Sequence, residues 1–107
     1  MIKAKECQTL EELRAEIDRI DAQLVPMFLE RVQYIYQSGG RIKGERAAVP
    51  ALDRVERQIV RIRELARQHG GDPDFIEKLW RAIIHEHTEE EHRVFDRRMA
   101  AEKARQG

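Results

Sequence analysis

Arg31 falls inside an otherwise apolar stripe formed by Met27, Phe28, Val32 and Ile35, and an arginine so placed has two uses. Its stem can pack at a helix edge while the guanidinium reaches water, or its charge can be held inward to meet an anion. Arg14 lies 17 residues earlier, which on one helix is about 25 Å along the axis and about 100° around it. One copy of the helix cannot bring both to the same small ligand. Two antiparallel copies can, with Arg14 of one chain approaching Arg31 of the other, so a dimer permits two symmetric sites. Further along, the inward stripe of Ile76, Leu79 and Ile83 projects onto His87 and Glu91 before apolar residues resume at Val94. That polar pair is either a solvated helix face or a buried site, and the surrounding HEHTEEEH is polar enough for the first reading. His85 with Glu89 and His87 with Glu91 have the i,i+4 spacing of metal ligands, but no second ligand cluster exists elsewhere, so no metal is assigned. Arg54 is by itself an ordinary surface charge. No nucleophile–base pair, glycine-rich phosphate loop or cysteine–histidine set is present. An enzyme built from these residues works by holding a charged substrate, without covalent chemistry.

These side chains need helices to place them. Leu10, Leu13, Ile17, Ile20, Leu24 and Met27 recur at steps of three and four, an amphipathic helix that continues to Lys43. Thr9 caps it, with Glu12 completing a capping box. Pro26 interrupts it, but the stripe keeps its phase and no turn residue adjoins, which predicts a kinked helix, not two helices. A helix of this span is about 50 Å long, whereas a compact chain of this length has a radius of gyration of about 13 Å. One chain cannot cover that stripe, so self-association is expected. Residues 45–49 read as a loop, and Pro50 suits the first turn of a second helix carrying Leu52, Val55, Ile59, Ile62 and Leu65. His69-Gly70-Gly71 closes it. Asp72-Pro73 opens a third helix, which is expected to fray from Met99 onward.

The class is therefore all-α, three helices in a single domain spanning 1–107, with 1–8 and 100–107 as flexible tails. Lys+Arg and Asp+Glu are equal at 20 each, which favours neither nucleic acid nor an anionic membrane. Cys7 is the only cysteine, so no intrachain disulfide forms, and no apolar run has signal-peptide or membrane-spanning length. A cytoplasmic protein is expected.

LEELRAEIDRIDAQLV followed by ERV, then RIK, PALDRVE and DFIEKLWRAIIHE, resembles the all-helical chorismate mutase family over nearly the whole chain. The resemblance implies three helices per chain in an intertwined homodimer and a chorismate-class substrate, with no cofactor. It implies that Arg14 reaches into the partner's site and that Arg31 binds a substrate carboxylate in its own. It implies that Lys43 touches a carboxylate and the ether oxygen, with Arg54 close by and Glu91 on the ether oxygen's other side. His87 stands where the family usually has Ser or Tyr, and Val55 where ordinary mutases carry a glutamate that meets the substrate hydroxyl. Within the family the segments look closest to the isochorismate-pyruvate lyases of salicylate biosynthesis, which share the non-acidic residue at position 55 but carry Gln at the position of Glu91.

Chorismate is a dicarboxylate enol ether, and its rearrangement to prephenate needs neither nucleophile nor proton transfer. The enzyme must fold the enolpyruvyl arm over the ring and stabilise charge building on the ether oxygen. Arginine forks suit the carboxylates, and a lysine with a neutral donor suits the oxygen. Chorismate to prephenate is the default expectation. Elimination of pyruvate from isochorismate is the alternative, and a non-enzymatic helical dimerisation module the remote one. One departure bears on the site. The family's arginine-to-lysine spacing is about 11 residues, close to three turns, whereas Lys43 follows Arg31 by 12. A bulge near Gly39-Gly40 is expected to absorb the extra residue; failing that, Arg41 would take the place of Lys43.

Overall fold

A computed structural model describes residues 3–45 and 52–107. Helix α1 spans Leu10–Gln37 and runs directly into a π-helical turn over Ser38–Ile42. Helices α2 (Leu52–Gln68) and α3 (Pro73–Gln106) follow, and no strand occurs among the described residues. Pro50 and most of the loop before it lie outside the described residues.

Each described start and stop has a local cause. The Thr9 side chain accepts from the Glu12 N–H at 3.1 Å, while the Glu12 carboxylate accepts from the Gln8 N–H at 2.9 Å. The box thus closes one residue ahead of the cap itself. Pro26 sits inside α1, which stays one helix. At the end of α2, Gly70 adopts φ 74°, and the Gly71 and Gly70 amides bond back to the carbonyls of Ala66 and Arg67. This is a Schellman closure, and its left-handed residue favours glycine. Asp72 then caps α3 by accepting from the Asp74 N–H at 2.9 Å, with Pro73 in the first turn. Helix α3 does not end near Met99 but runs on to Gln106. Lys103 and Arg105 in its last turn complement the helix dipole there.

The core is small and lies between α2 and α3. Ile59, Ile62 and Ala66 are buried from one side, Phe95 from the other, and Glu91 is buried among them. At the rim Arg63 of α2 bridges Asp74 and Glu77 of α3 at 2.9 and 2.8 Å.

Helix α1 behaves differently, for it buries no residue at all. Its predicted apolar stripe faces solvent, with Leu13, Ile17, Ile20 and Leu24 each exposed by more than two-fifths. The chain is accordingly elongated, 66 × 28 × 15 Å with a radius of gyration of 18.3 Å. Its accessible surface of 8525 Å² exceeds the roughly 6200 Å² of a compact monomer of this mass. The difference is the size of surface that oligomeric chains bury against each other.

Residues 3–7 lie along the first half of α1, with Lys5 paired to Glu16 at 2.9 Å. Helix α1 meets α3 only toward its end, and Gly39 in the π turn permits the approach. A Cβ added there would lie 2.6 Å from the Glu91 carbonyl oxygen, 2.8 Å from Glu91 Cγ and 3.1 Å from Val94 Cγ2. Gly40, one residue on, has nothing within 4 Å. Gly39→Ala is therefore expected to lower stability by about 1–3 kcal/mol through overpacking. Gly40→Ala is expected to be neutral or to stabilise by up to about 1 kcal/mol through reduced chain entropy. Thermal melts of the two variants check the contrast.

Candidate active site

Three segments converge on a cavity of about 330 Å³: the end of α1 with its π turn, the start of α2 and the middle of α3. Arg31 enters from α1, with Ile35 one turn on beside it. Its guanidinium donates to Nδ1 of His87 across 56 residues of sequence. An arginine cannot accept, so Nδ1 is the acceptor and the neutral imidazole carries its proton on Nε2. Burial, and then the Arg31 charge, hold the His87 pKa below its ordinary value of 6.5. Burial, then the neighbouring Arg54 charge, pull the Arg31 pKa downward too. It falls from so high a starting point that the guanidinium stays charged.

Lys43 arrives by way of the π turn. Regular α-helical phase from Arg31 would turn Ile42 inward and Lys43 away. Instead the Lys43 N–H bonds the Ser38 carbonyl, five residues back, at 2.8 Å. One residue is taken up in the wider turn, Ile42 is left 67% exposed, and Lys43 lines the cavity. The turn falls where the sequence places a bulge, at Gly39-Gly40, so Arg41 is not needed as a substitute. Lys43 Nζ stands 3.0 Å from Glu91 Oε1. That oxygen is buried and makes no hydrogen bond, the ion pair lacking the angles for one. Glu91 is itself only 5% exposed, so the polar interruption in α3 is a buried group and not a solvated face.

From α2, Arg54 and Val55 complete the wall, together with Gln58 one turn on. Six of the seven residues singled out from sequence thus face one space: Arg31, Lys43, Arg54, Val55, His87 and Glu91. Arg14 is not among them; it is exposed on α1, remote from the cavity. Ser38, Gln58, Ile84 and Thr88 also line the space and were not anticipated. Gln58 and Ile84 were within reach of the helical period, at i+4 from Arg54 and i−3 from His87. Ser38 was within reach too, at i+7 from Arg31 and i+3 from Ile35, where the π turn begins.

The electrostatics follow from this census. Among the described lining residues, Arg31, Lys43 and Arg54 oppose the single carboxylate of Glu91, an excess of two positive charges with His87 neutral. Two surplus cations in a concave, partly desolvated space favour a small dianion. Ile35, Val55 and Ile84 supply an apolar surface for its carbon skeleton. Among the described residues, no three His, Cys, Asp or Glu side chains come together to hold a metal ion.

Comparison with known proteins bears on the same segments. The sequence pattern of chorismate mutase type II matches residues 13–92. The chain belongs to that family. It is also 35% identical over 81 residues to an isochorismate pyruvate lyase of Pseudomonas aeruginosa, covering 76% of this chain and 79% of the relative. The family's matched segment contains every residue that lines the cavity. No helix among the described residues is long and apolar enough to cross a membrane.

The lowered His87 pKa has a sign that can be tested. The unfolded chain takes up a proton near pH 6.5, while the folded chain resists it until a lower pH. The contribution of His87 is therefore fully present above pH 6.5. It is lost as pH falls from there through the folded value, where imidazolium would face the Arg31 guanidinium. In denaturant melts between pH 8 and 5, His87→Gln is expected to lose stability less steeply than the parent. Parallel curves would mean that His87 titrates freely.

Proposed function

We propose that this chorismate mutase type II protein is a cofactor-free pericyclic enzyme whose main reaction is the elimination of pyruvate from isochorismate. In that reaction the ether C–O bond breaks and a ring hydrogen reaches the methylene carbon, leaving salicylate and pyruvate with no atom gained or lost. Arg31 and Arg54 bind the two carboxylates, and the apolar wall folds the enolpyruvyl arm across the ring. Lys43 meets the ether oxygen as negative charge builds on it. The observation that carries this reading is Val55 in the cavity wall beside Arg54. Ordinary mutases place a carboxylate there for the substrate hydroxyl, and the curated lyase relative supports the same branch.

A second reading, rearrangement of chorismate to prephenate, is favoured by Glu91, since certain mutases carry Glu where the lyase pattern has Gln. An ionised carboxylate beside an oxygen gaining negative charge opposes the transition state, whereas a neutral donor assists it. Incubation with isochorismate and chorismate separately, with the products identified, distinguishes the two. Salicylate with pyruvate is the expected major product, and prephenate as the main product would reverse the order. On whichever substrate turns over, Glu91→Gln is expected to raise kcat at pH 8 by roughly tenfold or more, because it replaces repulsion by donation. A non-enzymatic helical dimerisation module would have no reason to gather three cations in one cavity.

The active unit in this proposal is an antiparallel homodimer that covers the α1 stripes and carries Arg14 of one chain to the other's cavity. Sedimentation at micromolar concentration is expected to give a dimer. Arg14→Ala and Arg31→Ala are each expected to be inactive, yet a mixture after subunit exchange should regain activity. A heterodimer holds one site with both arginines intact. Absence of recovery would mean that the sites are not shared.

A further inference from the structure

Lys43 is the first residue beyond the π turn, and its long side chain has many rotamers, so the place of its ammonium depends on how its backbone is held. The N–H is held from within, by the Ser38 carbonyl at 2.8 Å. The carbonyl is held from outside, by Arg98 of α3, whose Nη2 donates to it. The Arg98 side chain is 17% exposed, its guanidinium lies 4.9 Å from the Phe95 ring centroid, and Glu102 steadies it at 3.9 Å. Its Nε is buried and makes no hydrogen bond. A buried N–H left without an acceptor is costly, so Arg98 is held in place by its other contacts, the Lys43 carbonyl, the Phe95 ring and Glu102. Arg98 also lies past residue 92, where the family's matched segment ends, one residue before the stretch expected to fray.

We propose that Arg98 is a positioning residue for Lys43: by fixing the Lys43 carbonyl it sets where the ammonium stands between Glu91 and the substrate. The need is particular to this chain. The extra residue between Arg31 and Lys43 replaces a regular helix end by a π turn, which no longer defines the Lys43 backbone by α-helical bonding alone. A distant arginine supplies the missing constraint from the opposite helix. The proposal rests on the reading above in which Lys43 acts on the substrate.

Arg98→Met is the informative variant, because it keeps an apolar stem over Phe95 and removes the donor. Two measurements test it. With the substrate that turns over, Arg98→Met is expected to lower kcat by roughly ten- to hundredfold with little change in KM, and Arg98→Lys to recover part of the loss. Lys43→Ala is expected to cost about 10²–10³-fold, and the double variant Lys43→Ala/Arg98→Met no more than that. The second measurement needs no turnover. Trypsin cuts on the carboxyl side of lysine, at the very carbonyl Arg98 holds, so cleavage of Lys43–Gly44 is expected to quicken severalfold in Arg98→Met, with the melting temperature matched. A multiplicative loss in the double variant, or cleavage at Lys43 as slow as in the parent, overturns the proposal and reduces Arg98 to a helix cap. If neither substrate turns over, the proposed function fails, and faster cleavage then supports the clamp on the Lys43 backbone while unchanged cleavage overturns it. If Lys43→Ala is fully active, the role of Lys43 fails, and the positioning role of Arg98 with it.

Discussion

Lys43 Nζ, on a side chain still a quarter exposed, stands 3.0 Å from the buried Glu91 Oε1, in a chain whose buried core among the described residues is otherwise four apolar side chains. Taking the Glu91 carboxylate out of water costs several kcal/mol, which the attraction of the partly buried ammonium only partly offsets. A core this small has little stability to spare for such a pair. Much of the surrounding local geometry can be read as the means of holding it. Gly39 lets the π turn lie against the Glu91 backbone, the turn itself rotates Lys43 inward, and α3 presents Glu91 at the one place where its face turns polar. Without glycine at position 39, the first of these contacts would be a collision.

The same pair sets the character of the cavity. With Glu91 partly neutralising Lys43, the charge left for a ligand comes mainly from Arg31 and Arg54, and it totals two. Arg31 is also shaped by a neutral His87 that accepts from it, leaving the rest of the guanidinium fork for an anion. Were His87 protonated, it would repel Arg31 and could not accept. Its depressed basicity and the arginine's orientation are therefore one fact seen from two sides.

Much of this was legible in the sequence, and the residues show why. The three helices follow from period-3.6 stripes and from caps at Thr9, Gly70-Gly71 and Asp72, all local signals that the described structure satisfies. Six residues of the cavity wall could be named because family resemblance supplied what spacing could not. Spacing alone left Arg31, Arg54, His87 and Glu91 each with an ordinary surface reading. Charged composition from Met99 onward suggested an early end to α3, whereas the helix runs on to Gln106, and just before that stretch Arg98 ties α3 to the residue after the π turn. That contact joins residues 55 positions apart, and no periodic pattern encodes it. The π turn shifts every face that follows it by about 100°, which is why Lys43, and not Ile42, faces the cavity.

The uncovered face of α1 and the proposed sharing of the site between chains belong to one design problem. A helix long enough to carry Arg14 about 25 Å from Arg31 extends past its own α2 and α3, and its apolar stripe is left in solvent. Shortening the helix would hide the stripe but lose Arg14. In the proposed dimer a second copy offers an equally long apolar face in the opposite direction. If the site needs an arginine from each chain, the hydrophobic stripe and the catalytic constellation are selected together. A polar substitution at Leu13 or Ile17 then acts on turnover through assembly, even though neither residue lines the cavity.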